Sequence, residues 1–193
     1  MILIKIFIYT KSEDDPSACT AEKLIKHGLA KRISSYNDIP PCSIVLNPMA
    51  STYLKQFDRI HIENCGIVAL DVSWKRGAAT LKKIKRGYQR VLPILIAANN
   101  VNYGKPFKLS TAEALIAALM ITGFHDYAFK IASLFKWGST FIQLNSKRFE
   151  LYSQVKTDED IEQIQCKLFG LNCSKNGKLL NILHRIIEND EQY

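Results

Sequence analysis

Four short runs of aliphatic residues, at 2–9, 43–46, 66–70 and 91–97, recur through the first half of the chain among segments of helical character, and they limit the fold more than any other feature. Runs of four to eight residues rich in Ile and Val read as strands. Strands with helices between them suggest a parallel or mixed α/β sheet. An amphipathic run at 22–29 supplies the first of those helices, and Asp15-Pro16, Pro40-Pro41, Asn47-Pro48 and Leu92-Pro93 punctuate the elements. After Gly104 the pattern changes. Residues 113–135 carry apolar side chains at helical spacing broken only by Gly123, and 141–152, 158–169 and 178–187 read as further helices. The expectation is an α/β domain over 1–92 and a mostly helical domain over 93–193, meeting near the Asn-rich stretch Ala97-Ala-Asn-Asn-Val-Asn-Tyr-Gly104. A polar, irregular segment between two packed lobes is a natural place for a ligand.

Charge is spread unevenly. The chain has 26 Lys and Arg against 18 Asp and Glu, a formal net charge of +8, and a field of that sign concentrates polyanions such as nucleic acid. No acidic residue lies between Asp71 and Glu113, whereas Lys75, Arg76, Lys82, Lys83, Lys85, Arg86, Arg90, Lys105 and Lys108 all fall there. That interval is expected to offer phosphate contacts. The five cysteines are odd in number and lack a CxxC pair, so reduced thiols are expected rather than a disulfide framework or a zinc ribbon. His27, His61, His125 and His184 have no metal-ligand spacing, and no metal site is expected. The apolar start is interrupted by Lys5 and lacks both a basic leader and a small-residue cleavage site, so it reads as a strand rather than a signal peptide. No segment has the apolar length needed to cross a bilayer. A cytoplasmic, non-membrane protein is the resulting expectation.

Three places could carry chemistry. Ser110-Thr-Ala-Glu113 has capping-box spacing, which fixes a helix start and turns the amides near Thr111 toward any anion placed there. Asp15-Pro-Ser-Ala-Cys-Thr20 precedes a second helix start, where Thr20 could offer an amide and a hydroxyl. Asp71 follows an apolar strand and stands beside Trp74, Lys75 and Arg76, at the strand end where open α/β sheets bind ligands. Each has an ordinary structural explanation when taken alone. Phosphate-binding and nucleophile motifs (GxGxxG, GxxxxGK[ST], GxSxG) are absent, which removes dinucleotide, P-loop and hydrolase readings.

Taken in order, Asp15-Pro-Ser-Ala-Cys-Thr20, Leu46-Asn-Pro48, Asp71-Val-Ser-Trp74, Arg90-Val-Leu-Pro93, Ala97-Ala-Asn-Asn-Val-Asn-Tyr-Gly104, Leu109-Ser-Thr-Ala-Glu-Ala114, Trp137-Gly138 and Asn145 resemble the small-subunit rRNA aminocarboxypropyltransferases of archaea and eukaryotes. The resemblance spans about residues 1–152 and departs from the common pattern at Asn100 and Val72. It implies a SPOUT-like N-terminal α/β domain with a deep trefoil knot and a mostly α-helical C-terminal domain. It implies S-adenosylmethionine as aminocarboxypropyl donor, small-subunit rRNA or a pre-ribosomal subunit as partner, and a monomer. The acceptor in such a family is the imide nitrogen of a (N1-methyl)pseudouridine.

Carried over position by position, Thr20 and Thr111 resemble the pair that holds the methionine carboxylate of the cofactor. Leu46, Pro48, Trp74, Leu109 and Ala114 resemble the apolar wall around adenine and the sulfonium, and Leu70, Leu92 and Phe107 the residues whose backbone holds the ribose and the adenine edge. Asp71 is the candidate general base, and Lys75, Arg76, Lys82, Lys83, Lys85, Arg86 and Arg90 the candidate RNA contacts. Two rivals stand beside this reading: a SPOUT-like RNA methyltransferase using the same cofactor, and a non-catalytic assembly factor that binds pre-rRNA.

Overall fold

The computed structural model describes residues 3–10, 20–71, 81–171 and 179–189 of the chain. Strands β1 (Ile6–Thr10), β2 (Lys31–Ile33), β3 (Ile44–Leu46), β4 (Ile67–Asp71) and β5 (Tyr88–Arg90) form one sheet in the order β2-β1-β4-β3-β5, and every pairing in it is parallel. The central strands are the aliphatic runs. Ile6, Ile8, Ile44, Val45, Leu46, Ile67, Val68 and Ala69 are all buried, as a sheet covered on both faces requires. The edge strands are short and polar, Lys31-Arg-Ile33 and Tyr88-Gln-Arg90, a composition that discourages pairing with another chain.

In register, Thr10 lies opposite Asp71 and Leu46 lies beside both Ala69 and Arg90. The carboxyl ends of β1, β3, β4 and β5 therefore open on one edge. Helices α1 (Thr20–Lys26) and α2 (Arg59–Cys65) bury Ala21, Leu24 and Ile62. Gly66 joins α2 to β4 with φ +92°, and a Cβ there would sit 2.4 Å from the Lys5 carbonyl oxygen, so the connection needs glycine.

The long apolar run divides at Gly123 into α3 (Thr111–Ile121) and α4 (His125–Ala132). Helix α3 is apolar nearly all round and packs against β4, α1, α4 and α6, which makes it the centre of the core. Residues 138–152 form two helices, α5 (Gly138–Leu144) and α6 (Ser146–Tyr152), separated at Asn145. Helix α7 (Asp158–Phe169) begins at a Thr157 cap and stops at left-handed Gly170, and α8 (Leu179–Asn189) follows. Ile161, Leu180, Leu183 and Ile187 pack with Ala50, Tyr53 and Val91. Helices α7 and α8 thus close over the loop after β3. Tyr53 and Tyr152 are buried, which pushes both phenols above their ordinary range and keeps them neutral hydrogen-bonding groups.

Two expectations are corrected. The described residues form a parallel five-stranded sheet with edges at β2 and β5, flanked by helices, and no SPOUT trefoil knot is in evidence among them. A knot is a property of the chain path, which strand-forming residues do not determine. The cysteines are not all reduced: Cys42 and Cys65 form a disulfide with Cα atoms 5.6 Å apart. It ties the turn before β3 to the end of α2, at the edge of the sheet opposite Asp71. Closing a loop 23 residues long contributes roughly 3 kcal/mol through the unfolded chain. A Cys42→Ser, Cys65→Ser variant is expected to melt several degrees lower with unchanged ligand affinity. Equal melting of wild type with and without a strong reductant would show that the bond contributes nothing. Among the described residues no helix is long and apolar enough to cross a membrane.

Candidate functional site

The carboxyl edge of the sheet is crossed by residues 91–98. Their aliphatic composition predicts a strand, yet among the described residues they form only isolated bridges, Tyr53 with Val91 and Ile96 with Pro106. The reason lies in side chains from the helical half. The Ile94 amide donates to Gln165 Oε1 at 2.7 Å, and the Ile94 carbonyl accepts from the Tyr152 hydroxyl at 3.1 Å. The Ile96 amide donates to Asn145 Oδ1, and its carbonyl accepts from Asn145 Nδ2, both at 2.9 Å. Three side chains thus stand in for a neighbouring strand. Pro93 has no amide proton to give. Among the described residues nothing bonds to the half-buried Leu92 backbone, which leaves an N–H and a C=O on offer.

A second component is the start of α3. The capping box is present: the Glu113 amide donates to Ser110 Oγ at 3.3 Å and the Ser110 amide to Glu113 Oε2 at 2.8 Å. Glu113 does more than cap. It is fully buried, and its carboxylate also accepts from the amides of Ala98 at 2.7 Å and Asn99 at 3.0 Å, from Asn99 Nδ2 at 2.6 Å and from the Ser110 hydroxyl at 2.9 Å. A carboxylate can accept about four such bonds, so Glu113 is saturated and fixes the 98–99 loop to the helix tip.

Three elements converge on that tip. The Thr111 hydroxyl donates to Asp71 Oδ1 at 2.6 Å, joining α3 to the end of β4. Thr20 Oγ1 accepts from the Ala112 amide at 3.3 Å, joining α3 to the start of α1. No described residue takes the Thr111 amide. Two hydroxyls, one amide at the positive end of an eleven-residue helix and one carboxylate therefore lie together, half-buried. Such a set can bind a small carboxylate, hydroxyl and amide toward it, and leaves Asp71 beside it as a proton acceptor.

Comparison with known proteins gives this site a family. Residues 44–169 match the model of the ribosome biogenesis protein C-terminal family. The chain is 44% identical over 161 residues to the 16S rRNA aminocarboxypropyltransferase of Methanocaldococcus jannaschii, covering 83% of this chain and 94% of that one. It is 40% identical over 189 residues to the protein of the same name from Vulcanisaeta distributa, covering 97% and 98%. The chain belongs to the 16S rRNA aminocarboxypropyltransferase family. The solved structure of the SAM-dependent rRNA:acp-transferase Tsr3 from Vulcanisaeta distributa superposes with a TM-score of 0.85 over 98% of this chain and all of that one, at 40% identity.

Within this aminocarboxypropyltransferase fold the expected wall residues divide. Leu46, buried, and Leu92, Leu109 and Ala114, half-buried, share the main core cluster. Pro48 is half-buried just after β3. Phe107 packs in a second cluster with Met49, Tyr53 and Val91, at φ +67°, and Leu70 packs in a third with Tyr9 and Val68. Trp74, Lys75 and Arg76 lie outside the described residues.

Of the expected RNA contacts, Lys82, Lys83, Lys85 and Arg86 are exposed around buried Leu81 and Ile84. Lys82 pairs with Glu188 at 2.6 Å, which lowers the pKa of that exposed carboxyl. Arg90 is placed otherwise. Its guanidinium grips fully buried Asp58 at 3.0 Å, so it secures the loop between β3 and α2 instead of facing solvent. Sequence reasoning also missed Tyr152 and Gln165, gave Asn145 no role, and saw Glu113 only as a cap. The groups on Ile94 and Ile96 that Asn145, Tyr152 and Gln165 bind lie 49 or more residues away, and the Glu113 bonds to 98 and 99 lie outside its capping box, so no local signal marks them.

Proposed function

We propose that the chain transfers the 3-amino-3-carboxypropyl group of S-adenosylmethionine to the imide nitrogen of a (N1-methyl)pseudouridine in small-subunit rRNA, as a cytoplasmic monomer acting during ribosome biogenesis. The observation that carries this is the meeting of Thr20, Asp71 and Thr111 at the tip of α3, in a chain similar over almost its whole length to a SAM-dependent transferase.

The residues present fit that cofactor. The Leu92 backbone N–H and C=O, which no described residue takes, suit an adenine edge, and Leu46, Pro48, Leu109 and Ala114 present the apolar surface its ring needs. The Phe107 amide donates to the Leu95 carbonyl at 3.2 Å and its carbonyl accepts from the Leu109 amide at 2.8 Å, so Phe107 has only the second lone pair of that carbonyl to add to the Leu70 backbone in the nucleoside contacts. Thr20 and Thr111 hold the amino-acid carboxylate. When bound, S-adenosylmethionine supplies a sulfonium whose neighbouring carbons are open to displacement. The protein then selects among those carbons by placement alone, and near-attack placement is the main resource available to such a reaction. Gripping the amino-acid end at α3 holds the propyl carbon where a uracil ring can meet it. Trp74, by its resemblance, shields the methyl group. Asp71, oriented by the Thr111 hydroxyl, takes the imide proton.

Mass spectrometry of nucleosides from treated rRNA tests this reading. An added aminocarboxypropyl mass is the expected result. A methyl mass would make the chain a methyltransferase, and no added mass with tight RNA binding would make it an assembly factor.

The exposed cations at 82, 83, 85 and 86 are the proposed phosphate contacts. Reversing all four charges is expected to weaken RNA binding and flatten the plot of log K against log salt by roughly three units of slope. An unchanged slope would move the RNA to another face.

A further inference from the structure

The loop after residue 98 holds an aromatic ring out in water, and we infer that Tyr103 is a stacking platform for an unpaired base next to the uridine to be modified. The inference rests on the rRNA reading above and assigns a positioning residue for its substrate.

Tyr103 is 66% exposed and Val101 82% exposed, two large apolar side chains at the tip of one short loop. Exposed rings on loose loops need no explanation, but this loop is not loose. Asn99 Oδ1 accepts from the amides of Val101 at 3.1 Å and Asn102 at 3.0 Å. The Lys105 amide donates to the Asn102 carbonyl at 2.9 Å, the Gly104 amide to the Ala97 carbonyl at 2.8 Å, and the Ala97 amide to the Lys105 carbonyl at 3.0 Å. Gly104 makes the reversal at φ +78°. The backbone on both sides of Tyr103 is thereby fixed while its side chain is left outside.

The loop is also tied to the site. Asn99, 7% exposed, donates from Nδ2 to Glu113 Oε2 at 2.6 Å, and the same carboxylate oxygen accepts from the Ser110 amide. Asn99 and Glu113 link the Tyr103 loop to the helix tip whose Thr111 bonds Asp71. A backbone held this way keeps the base of the Tyr103 side chain at a constant position relative to the reacting edge, and the ring has only its own two torsions to settle. Its chemical neighbours select the partner. Lys105 and Lys108 follow within the stretch that has no acidic residue from 72 to 112, so the ring lies in a phosphate-attracting environment. An aromatic face on a segment rich in lysine and free of carboxylates is the composition by which single-stranded nucleic acid is held, base on ring and phosphate on cation. Tyrosine offers its face at low cost in side-chain entropy because only two torsions need fixing.

The test uses the full chain and an RNA fragment carrying the target uridine, with 2-aminopurine in turn at each flanking position. For Tyr103→Ala the KM and Kd for RNA are expected to rise on the order of 10- to 100-fold. Turnover at saturating RNA, S-adenosylmethionine affinity and the salt slope should stay at wild-type values, since stacking releases no counterions. Tyr103→Phe should restore RNA affinity, and wild type should quench 2-aminopurine at one flanking position where Tyr103→Ala does not. A wild-type KM in Tyr103→Ala overturns the inference. So does failure of Tyr103→Phe to rescue, which would make the hydroxyl the contact, or a chain dimer in sedimentation that Tyr103→Ala dissolves. Failure of the rRNA reading is distinct: wild type would leave the RNA unmodified, while the quenching arm still scores Tyr103 by binding alone.

Discussion

Replacing Glu113 with alanine should lower the melting temperature by about 10 °C and abolish most affinity for S-adenosylmethionine. The carboxylate is fully buried and accepts from Ala98, Asn99, the Asn99 side chain, the Ser110 amide and the Ser110 hydroxyl. Each buried donor left without an acceptor costs about 1–3 kcal/mol, and even with water replacing some of the bonds a loss of about 4 kcal/mol is expected. For a chain of this length that corresponds to roughly 2–4 °C per kcal/mol. Affinity falls as well because the helix tip and the 98–99 loop lose their common anchor. Glu113→Gln should be only partly better, since one acceptor oxygen becomes an amide NH2 that donates and so faces other donors. Thermal unfolding and cofactor titration of both variants check this. A Glu113→Gln protein with wild-type melting and binding would show that the carboxylate is not the organising group.

Replacing Asp71 with asparagine should leave cofactor affinity within a few-fold of wild type and reduce transfer by about 10²- to 10⁴-fold. Asparagine keeps an oxygen to accept the Thr111 hydroxyl, which now donates to Asp71 at 2.6 Å, so the junction of β4 and α3 survives. What is lost is the ability to take a proton. Single-turnover transfer measured beside equilibrium cofactor binding separates the two effects. Near-normal turnover would remove Asp71 from the chemistry and leave it as a holding group.

Much of this could be read from the chain because local chemistry and tertiary role agree. Helix α7 starts and stops where Thr157 and Gly170 say it should, and β3 and β4 coincide closely with their apolar runs. The edge strands escaped notice because Lys31-Arg-Ile33 and Tyr88-Gln-Arg90 bury too little to show a pattern, and α2 because Ile62 alone is buried in it. Residues 91–97 misled in the opposite direction. They look like a strand, but Asn145, Tyr152 and Gln165 satisfy their polar groups from 49 to 71 residues away. Distance likewise hid the Cys42–Cys65 bond and the partner of Arg90, whose charge suggested RNA and whose geometry selects Asp58. For the site, the capping box was legible from spacing, whereas the joining of Thr111 to Asp71 and of Ala112 to Thr20 depends on how sheet and helix come together.

Selection of one carbon among those around a sulfonium is the central claim, and isotopic labelling reads it directly. The chain is incubated with small-subunit rRNA and S-adenosylmethionine labelled either in the carboxyl carbon or in the methyl group. Carboxyl label in the RNA, with methyl label released in the sulfur-containing by-product, is the expected result. Methyl label in the RNA with none from the carboxyl carbon would contradict it.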